Sequence, residues 1–212
     1  MPEKKISRTL VNPSKRTDIF YFTHARTALK YGLKQLGLQP GEKVLLPDYI
    51  CDVILHPLQQ LGLRPRFYRL DDYFAPNFEN ITKLVDDSTK AIIMVHYFGQ
   101  PQGIELFQEF CQNHGLFLIE DNAHGHGGTL NGKSMGMFGD IGISSPRKIL
   151  NGLYRGGVLY WNRQDIPQPN VDGIEIFTMK VNRWKHKLKR VMRKVPGAFP
   201  MWRAIREKPK RR

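Results

Sequence analysis

Lys148 follows Ser145 by three residues and Asp121 by 27. Together these residue types suit covalent chemistry on a carbonyl compound that carries a phosphate. A lysine amine, once neutral, attacks a carbonyl carbon and bonds to it. Asp121 ends a buried apolar run, where a carboxylate is costly unless a cation meets it, and a protonated ring nitrogen is one such cation. A serine three residues before the lysine can reach a phosphate. A second phosphate anchor is His24-Ala25-Arg26-Thr27-Ala28-Leu29. It opens a predicted helix, whose unpaired first amides and dipole favour an anion, and Thr27 adds a hydroxyl donor. In Arg155-Gly156-Gly157-Val158 the glycines let the backbone pass close to a neighbour. Taken singly, each segment has an ordinary reading: Thr27 a helix cap, Asp121 a loop cap, Lys148 a surface lysine, the glycines a hairpin turn.

The elements that must position these groups follow from hydrophobic spacing. Leu29, Leu33 and Leu36 share one face of a helix over 26–36 that Gly37 ends. A strand over 43–46 stops at Pro47, and 50–61 reads as a helix with Pro57 awkwardly inside it. A further strand is predicted over 66–70. The apolar run 91–96 reads as a strand covered on both faces. Ile104, Phe107, Phe110 and Cys111 mark a helix ending at Gly115, followed by strands over 116–119, 141–144 and 157–161. Strands alternating with helices predict a three-layer α/β/α sandwich with a mostly parallel mixed sheet. Ligands of such sheets gather at the carboxyl ends of the strands, where Asp121 stands.

The order of these segments resembles that of the DegT/DnrJ/StrS family of sugar aminotransferases, which have the aspartate-aminotransferase fold. The resemblance covers 25–161. It rests on Ala25-Arg26-Thr27-Ala28-Leu29, on Leu36-Gly37-Leu38-Gln39-Pro40-Gly41 through Pro47, and on Val95-His96-Tyr97-Phe98-Gly99-Gln100-Pro101. It continues through Glu120-Asp121-Asn122-Ala123-His124, Gly139-Asp140 and Ser145-Pro146-Arg147-Lys148 to Gly156-Gly157. The resemblance implies pyridoxal 5'-phosphate as cofactor and Lys148 as the lysine that carries it and shuttles the proton. It also implies Asp121 on the pyridine nitrogen, His124 beside the ring and within reach of its O3' oxygen, and Arg26, Thr27, the Ala28 amide and Ser145 at the phosphate. The implied reaction moves an amino group, from a donor such as glutamate, to a nucleotide-linked keto-sugar in polysaccharide or secondary-metabolite biosynthesis. A homodimer with the site at its interface is implied as well. Because the lysine is retained, the sister branch with histidine there for dehydration is not expected. Two departures stand out. Ala25 replaces the family's glycine, and Cys51, with Tyr49 near it, stands where an aromatic residue often stacks on the ring. Family members also carry a C-terminal domain, so a truncated, impaired relative or half of a split enzyme is the alternative expectation.

Charge divides the chain. Of 33 Lys and Arg residues, 14 fall in 180–212 beside a single acid, Glu207, so the tail carries +13 of the net charge of +14 and the rest of the chain +1. Val181, Trp184, Leu188, Val191 and Val195 predict a basic amphipathic helix over 181–195. Its composition suits packing on the body or weak contact with a membrane surface through 181–212. No other feature supports nucleic-acid binding. The expected organisation is an N-terminal segment over 1–24, a cofactor domain over 25–163, a linker over 164–180 and the tail. Cys51 and Cys111 have neither disulfide nor metal-site spacing and read as small buried hydrophobes; no metal is expected. The sequence opens without the apolar core of a leader and holds no run of ~20 apolar residues, so a cytoplasmic location is the default.

Overall fold

A computed structural model describes residues 17–171. A seven-stranded sheet organises them, in the order β1-β9-β8-β5-β4-β2-β3. The strands are β1 (Asp18–Phe22), β2 (Lys43–Pro47), β3 (Arg64–Tyr68), β4 (Thr89–Val95), β5 (Phe117–Asn122), β8 (Ile141–Ser144) and β9 (Gly157–Trp161). Parallel pairing runs from β3 through β2, β4 and β5 to β8, and β9 and β1 add antiparallel strands at one edge. A two-stranded hairpin, β6 (Thr129–Leu130) and β7 (Lys133–Ser134), stands apart from the sheet. The α-helices among the described residues are α1 (Ala25–Gln35), α2 (Leu55–Gln60), α3 (Phe78–Leu84), α4 (Ile104–His114) and α5 (Pro146–Ile149).

The central strands are apolar on both faces because both are covered. Ile92 and Met94 of β4 and Leu118 of β5 pack with Ile81 of α3 and with Phe107 and Phe110 of α4. The alternate residues Ile119, Ile141, Ile143 and Leu159 point to the other face by the period of two along a strand. α1 covers that face so closely that a Cβ on Gly32 would come within 2.5 Å of Ile141 Cδ1. The result is the mostly parallel three-layer sandwich that the alternating elements predict. Asp121 belongs to the α1 face, and Glu120 and Asn122 belong to the other.

Several boundaries differ from the sequence reading. The predicted helix over 50–61 is a 3-10 turn, Asp52–Ile54, followed by α2. Pro57 thus falls in the first turn, where its missing N–H has no partner inside the helix. β3 begins two residues earlier than predicted, and β5 runs on to take in Glu120, Asp121 and Asn122. β1, α3, the hairpin and α5 were not anticipated. Cys111 is buried, but Cys51 is exposed, contrary to the reading of both cysteines as core residues. No described helix is long and apolar enough to cross a membrane. The predicted helix over 181–195 lies outside the described residues.

The double glycine fixes where α1 starts. Gly156 donates its N–H to Thr23 O at 2.9 Å, and a Cβ on Gly157 would sit 2.1 Å from the carbonyl carbon of His24. A backbone group cannot rotate away as a side chain can, so Gly157→Ala must push β9 off the first turn of α1. The expected cost is roughly 3 kcal/mol, at the upper end for overpacking. A urea titration reads it; an unchanged midpoint would mean that this approach does not constrain the fold.

Candidate functional site

The carboxyl ends of β2, β4, β5 and β8 open into one cleft of about 340 Å³. The start of α1 closes it with His24, Ala25 and Arg26, and the loop after β2 supplies an apolar wall of Ile50, Val53 and Ile54. Asp121 and His124 enter from the end of β5, and Ser145, Arg147 and Lys148 enter from the turn after β8. Five residues singled out in the sequence therefore meet at one place: Arg26, Asp121, His124, Ser145 and Lys148. Thr27 and Ala28 do not line the cleft. Their amides donate to His24 O at 3.0 and 3.1 Å, closing the first turn of α1, and the Ala28 side chain is buried. The first-turn amides of Ala25 and Arg26 have no carbonyl one turn earlier within the helix.

Asp121 is 7% exposed. Its Oδ1 accepts the Ala123 N–H at 2.9 Å, and Oδ2 has no hydrogen-bond partner among the described residues. Burial pushes its carboxyl above the ordinary carboxylate value, against the opposing pull of the Ala123 amide and the nearby Lys148 and His124. Removing water from a carboxylate favours the neutral form unless a cation compensates, and here the compensation is incomplete. His124 shifts the other way for a charged base: burial first, then the positive charge of Lys148, hold its imidazole below the usual value. Ser145 is buried at the foot of α5, where its carbonyl accepts the Lys148 N–H at 2.9 Å. Pro146 follows as the first helical residue, so the chain turns sharply and brings the Lys148 side chain to the cleft.

Two acids of the motif segments serve as tethers outside the cleft. The Glu120 carboxylate, fully buried, accepts from His96 Nε2 at 2.9 Å and from the amides of Gly136, Phe138 and Gly139. His96 Nδ1 in turn accepts the Gln102 N–H at 3.1 Å, which places the ring proton on Nε2. Asp140 accepts the Leu118 N–H at 2.7 Å and pairs with Arg163 at 2.6 Å. These bonds hold the loop between the hairpin and β8 against β4 and β5, and so set the height of the lysine segment.

Arg147 and Tyr97 also line the cleft and were not singled out. Burial raises the Tyr97 hydroxyl far above its ordinary value, and it donates to Tyr49 O. Tyr97 thus holds the segment that contains Tyr49 and Cys51, both of which line the cleft. The position of Tyr97 at the end of the apolar run 91–96 was the available signal.

The sequence model of the DegT/DnrJ/EryC1/StrS aminotransferase family matches residues 19–191. A UDP-N-acetyl-3-dehydro-alpha-D-glucosamine 3-aminotransferase of Acidithiobacillus ferrooxidans is 35% identical over 135 residues, which are 62% of this chain and 37% of that protein. An aminotransferase structure from Psychrobacter cryohalolentis superimposes with a TM-score of 0.64 at 28% identity, over 69% of this chain and 38% of the other. The E. coli GDP-4-keto-6-deoxy-D-mannose-3-dehydratase with bound hydrated pyridoxal phosphate gives 0.61 at 25% identity, over 71% and 41%. The chain spans little more than a third of the length of the curated relative and about two fifths or less of the two structures.

Proposed function

The chain belongs to the DegT/DnrJ/EryC1/StrS aminotransferase family, and from that premise we propose that its cleft binds pyridoxal 5'-phosphate on Lys148. The observation that carries this reading is the meeting of Lys148 and the half-satisfied, buried Asp121 in one cleft. The residues fit the cofactor. Asp121 Oδ2 is open to a cationic partner in the cleft, and the pyridine nitrogen can be one. Ser145, Arg26 and the first turn of α1 would hold the phosphate, with Thr27 and Ala28 supporting that turn from behind. Pyridoxal phosphate, when bound, supplies an aldehyde carbon that exchanges amino groups and a ring that accepts electrons from the bond being broken. Asp121 would keep the ring nitrogen protonated. Lys148 would release the carbonyl carbon to an incoming amine and then move the proton at the reacting carbon. His124 would offer a donor to the ring oxygen.

The reaction proposed for the whole protein is amino transfer from a donor such as glutamate to a nucleotide-linked keto-sugar. Its support is the 3-aminotransferase relative, whose named substrate is a UDP-linked dehydro-sugar. A homodimer is part of the proposal. Ile149, Leu150, Leu153 and Tyr154, each 45–57% exposed, form an apolar stretch directly after Lys148 that a partner subunit would cover.

Titrating the protein with pyridoxal phosphate is expected to give a visible absorption band that shifts when an amine is added. Borohydride reduction followed by peptide mapping should then find the label on Lys148. A label scattered over surface lysines, or no band at all, would overturn the proposal.

A further inference from the structure

We propose that the main-chain N–H of Phe98, held in place by the left-handed turn after β4, fixes His124 as a ring protonated on Nε2 alone, so that the cleft receives a single oriented N–H donor. β4 leaves the sheet through the turn Tyr97–Gly99, in which Phe98 takes φ 54 and ψ 20. A bulky side chain in this left-handed region costs free energy and persists only where surrounding contacts enforce it. The enforcing contact is between two glycines. A Cβ on Gly99 would lie 3.2 Å from Gly125 Cα, and one on Gly125 would lie 2.8 Å from Gly99 Cα and 2.5 Å from Asn122 Oδ1. Asn122 anchors the second loop by donating to Gly125 O at 3.0 Å and to Met135 O at 3.3 Å. The loops after β4 and β5 are therefore held backbone to backbone, and Phe98 and His124 are the residues set beside that contact.

What the left-handed turn achieves is visible at the imidazole. The Phe98 N–H points at His124 Nδ1, a long hydrogen bond of 3.4 Å. The Phe98 ring lies over the imidazole, with centroids 6.2 Å apart and planes 24° from parallel. A nitrogen that accepts an N–H presents a lone pair and cannot also carry a proton. The proton of the neutral ring is then on Nε2. Protonating Nδ1 would set two N–H groups against each other. The same amide-to-Nδ1 device acts at His96, where the Nε2 proton goes to Glu120. At His124 the remaining donor belongs to a ring that lines the cleft. Its use toward a cofactor oxygen rests on the function proposed above, whereas the tautomer is a property of the chain by itself.

Nitrogen-15 NMR of histidine-labelled full chain, without cofactor, decides the matter. Seven histidines are present, and His124→Gln identifies the signal. The expected pattern is a protonated Nε2 and an unprotonated Nδ1 that couples to the Phe98 amide. A ring protonated on Nδ1, or one averaging between the two forms, would overturn the inference. Phe98→Ala keeps the amide and removes the ring, so the Nε2–H form should stay while His124 titrates at higher pH. Gly99→Ala forces the loops apart and should lose the single tautomer. A variant with separated loops and an unchanged His124 pattern would also overturn it. Adding pyridoxal phosphate to the same wild-type sample should move the Nε2 signal. An unmoved signal counts against the cofactor site and leaves the tautomer standing.

Discussion

Under the proposed function, Lys148→Ala is expected to lower amino transfer by at least about 10³-fold, the scale set by losing positioned proton transfer, while the fold stays intact. The two halves of that statement have separate causes. Lys148 is exposed and lies in the one-turn helix α5. Its main-chain N–H, which bonds to Ser145 O, survives the substitution. An exposed side chain of this kind changes stability by no more than about 0.5 kcal/mol. The chemistry has no such reserve. Lys148 is the amine among the described side chains that line the cleft, and alanine can neither bond to a carbonyl carbon nor move a proton. Lys148→Arg sharpens the test, because it keeps the charge beside Asp121 and His124 but is not a nucleophile at neutral pH. It should lose the visible band and the turnover as alanine does. The two variants should differ in electrostatics. Loss of the cation lets the Asp121 carboxyl rise further and lets His124 rise toward its ordinary value, since Lys148 lowers both. NMR titration of His124 would therefore show an upward shift in Lys148→Ala and little change in Lys148→Arg. An alanine variant that retains the band and the activity would remove Lys148 from the chemistry altogether.

The parts of the fold and the site that are readable in the sequence share one physical property. Ala91–Val95 of β4 and Phe117–Ile119 of β5 are buried on both faces, so they appear as unbroken apolar runs, and the glycines at 37 and 115 end helices because they adopt positive φ. β1 escaped notice because its apolar side chains divide between the core and solvent; Ile19 and Tyr21 are exposed while Phe22 is buried. The hairpin was signalled by Asn131-Gly132, which takes the two positive φ values of a tight turn, but flanking strands of two residues give no alternation to notice. At the site, spacing identified the residues at strand ends but not which atoms stay available. Thr27 and Ala28 have the right types at the right helix end, yet their amides serve the His24 carbonyl. Glu120 and Asp121 are adjacent acids, and their separate duties follow from the alternation of a strand, which sends one to a loop tether and the other to the cleft. Tyr97 is marked only by its place after the apolar run 91–96, and Arg147 stays hidden because no linear pattern tells which side chains a turn brings to the cleft.

Asp121→Asn is expected to make the cofactor-free protein more stable and the proposed amino transfer far slower, two effects with one origin. Burial raises the folded-state pKa of Asp121 above the ordinary carboxylate value. The folded chain therefore binds this proton more tightly than the unfolded chain does. Where the unfolded state has lost the proton and the folded state still holds it, stability falls as pH rises. The fall begins near the ordinary carboxylate pKa and ends once pH has passed the raised one. Above that, the folded protein has a constant deficit from an incompletely compensated buried charge. Asparagine keeps an oxygen for the Ala123 N–H and has no charge to bury. The variant should exceed wild type by ~1 kcal/mol near neutral pH, typical of relieving a strained functional site, and the difference should vanish in acid, where Asp121 is neutral in both states. Cofactor acts in the opposite sense. A neutral amide does not hold a ring nitrogen protonated, so added pyridoxal phosphate should raise the melting temperature of wild type more than that of the variant. Turnover should drop on the order of 10²–10³-fold, the scale for removing one electrostatic stabiliser of a reacting group. Thermal melts at neutral and acid pH, with and without cofactor, give four temperatures per protein. A variant less stable than wild type at neutral pH without cofactor would mean that the Asp121 charge is already compensated within the chain, and the case for a cationic ring nitrogen beside it would fail.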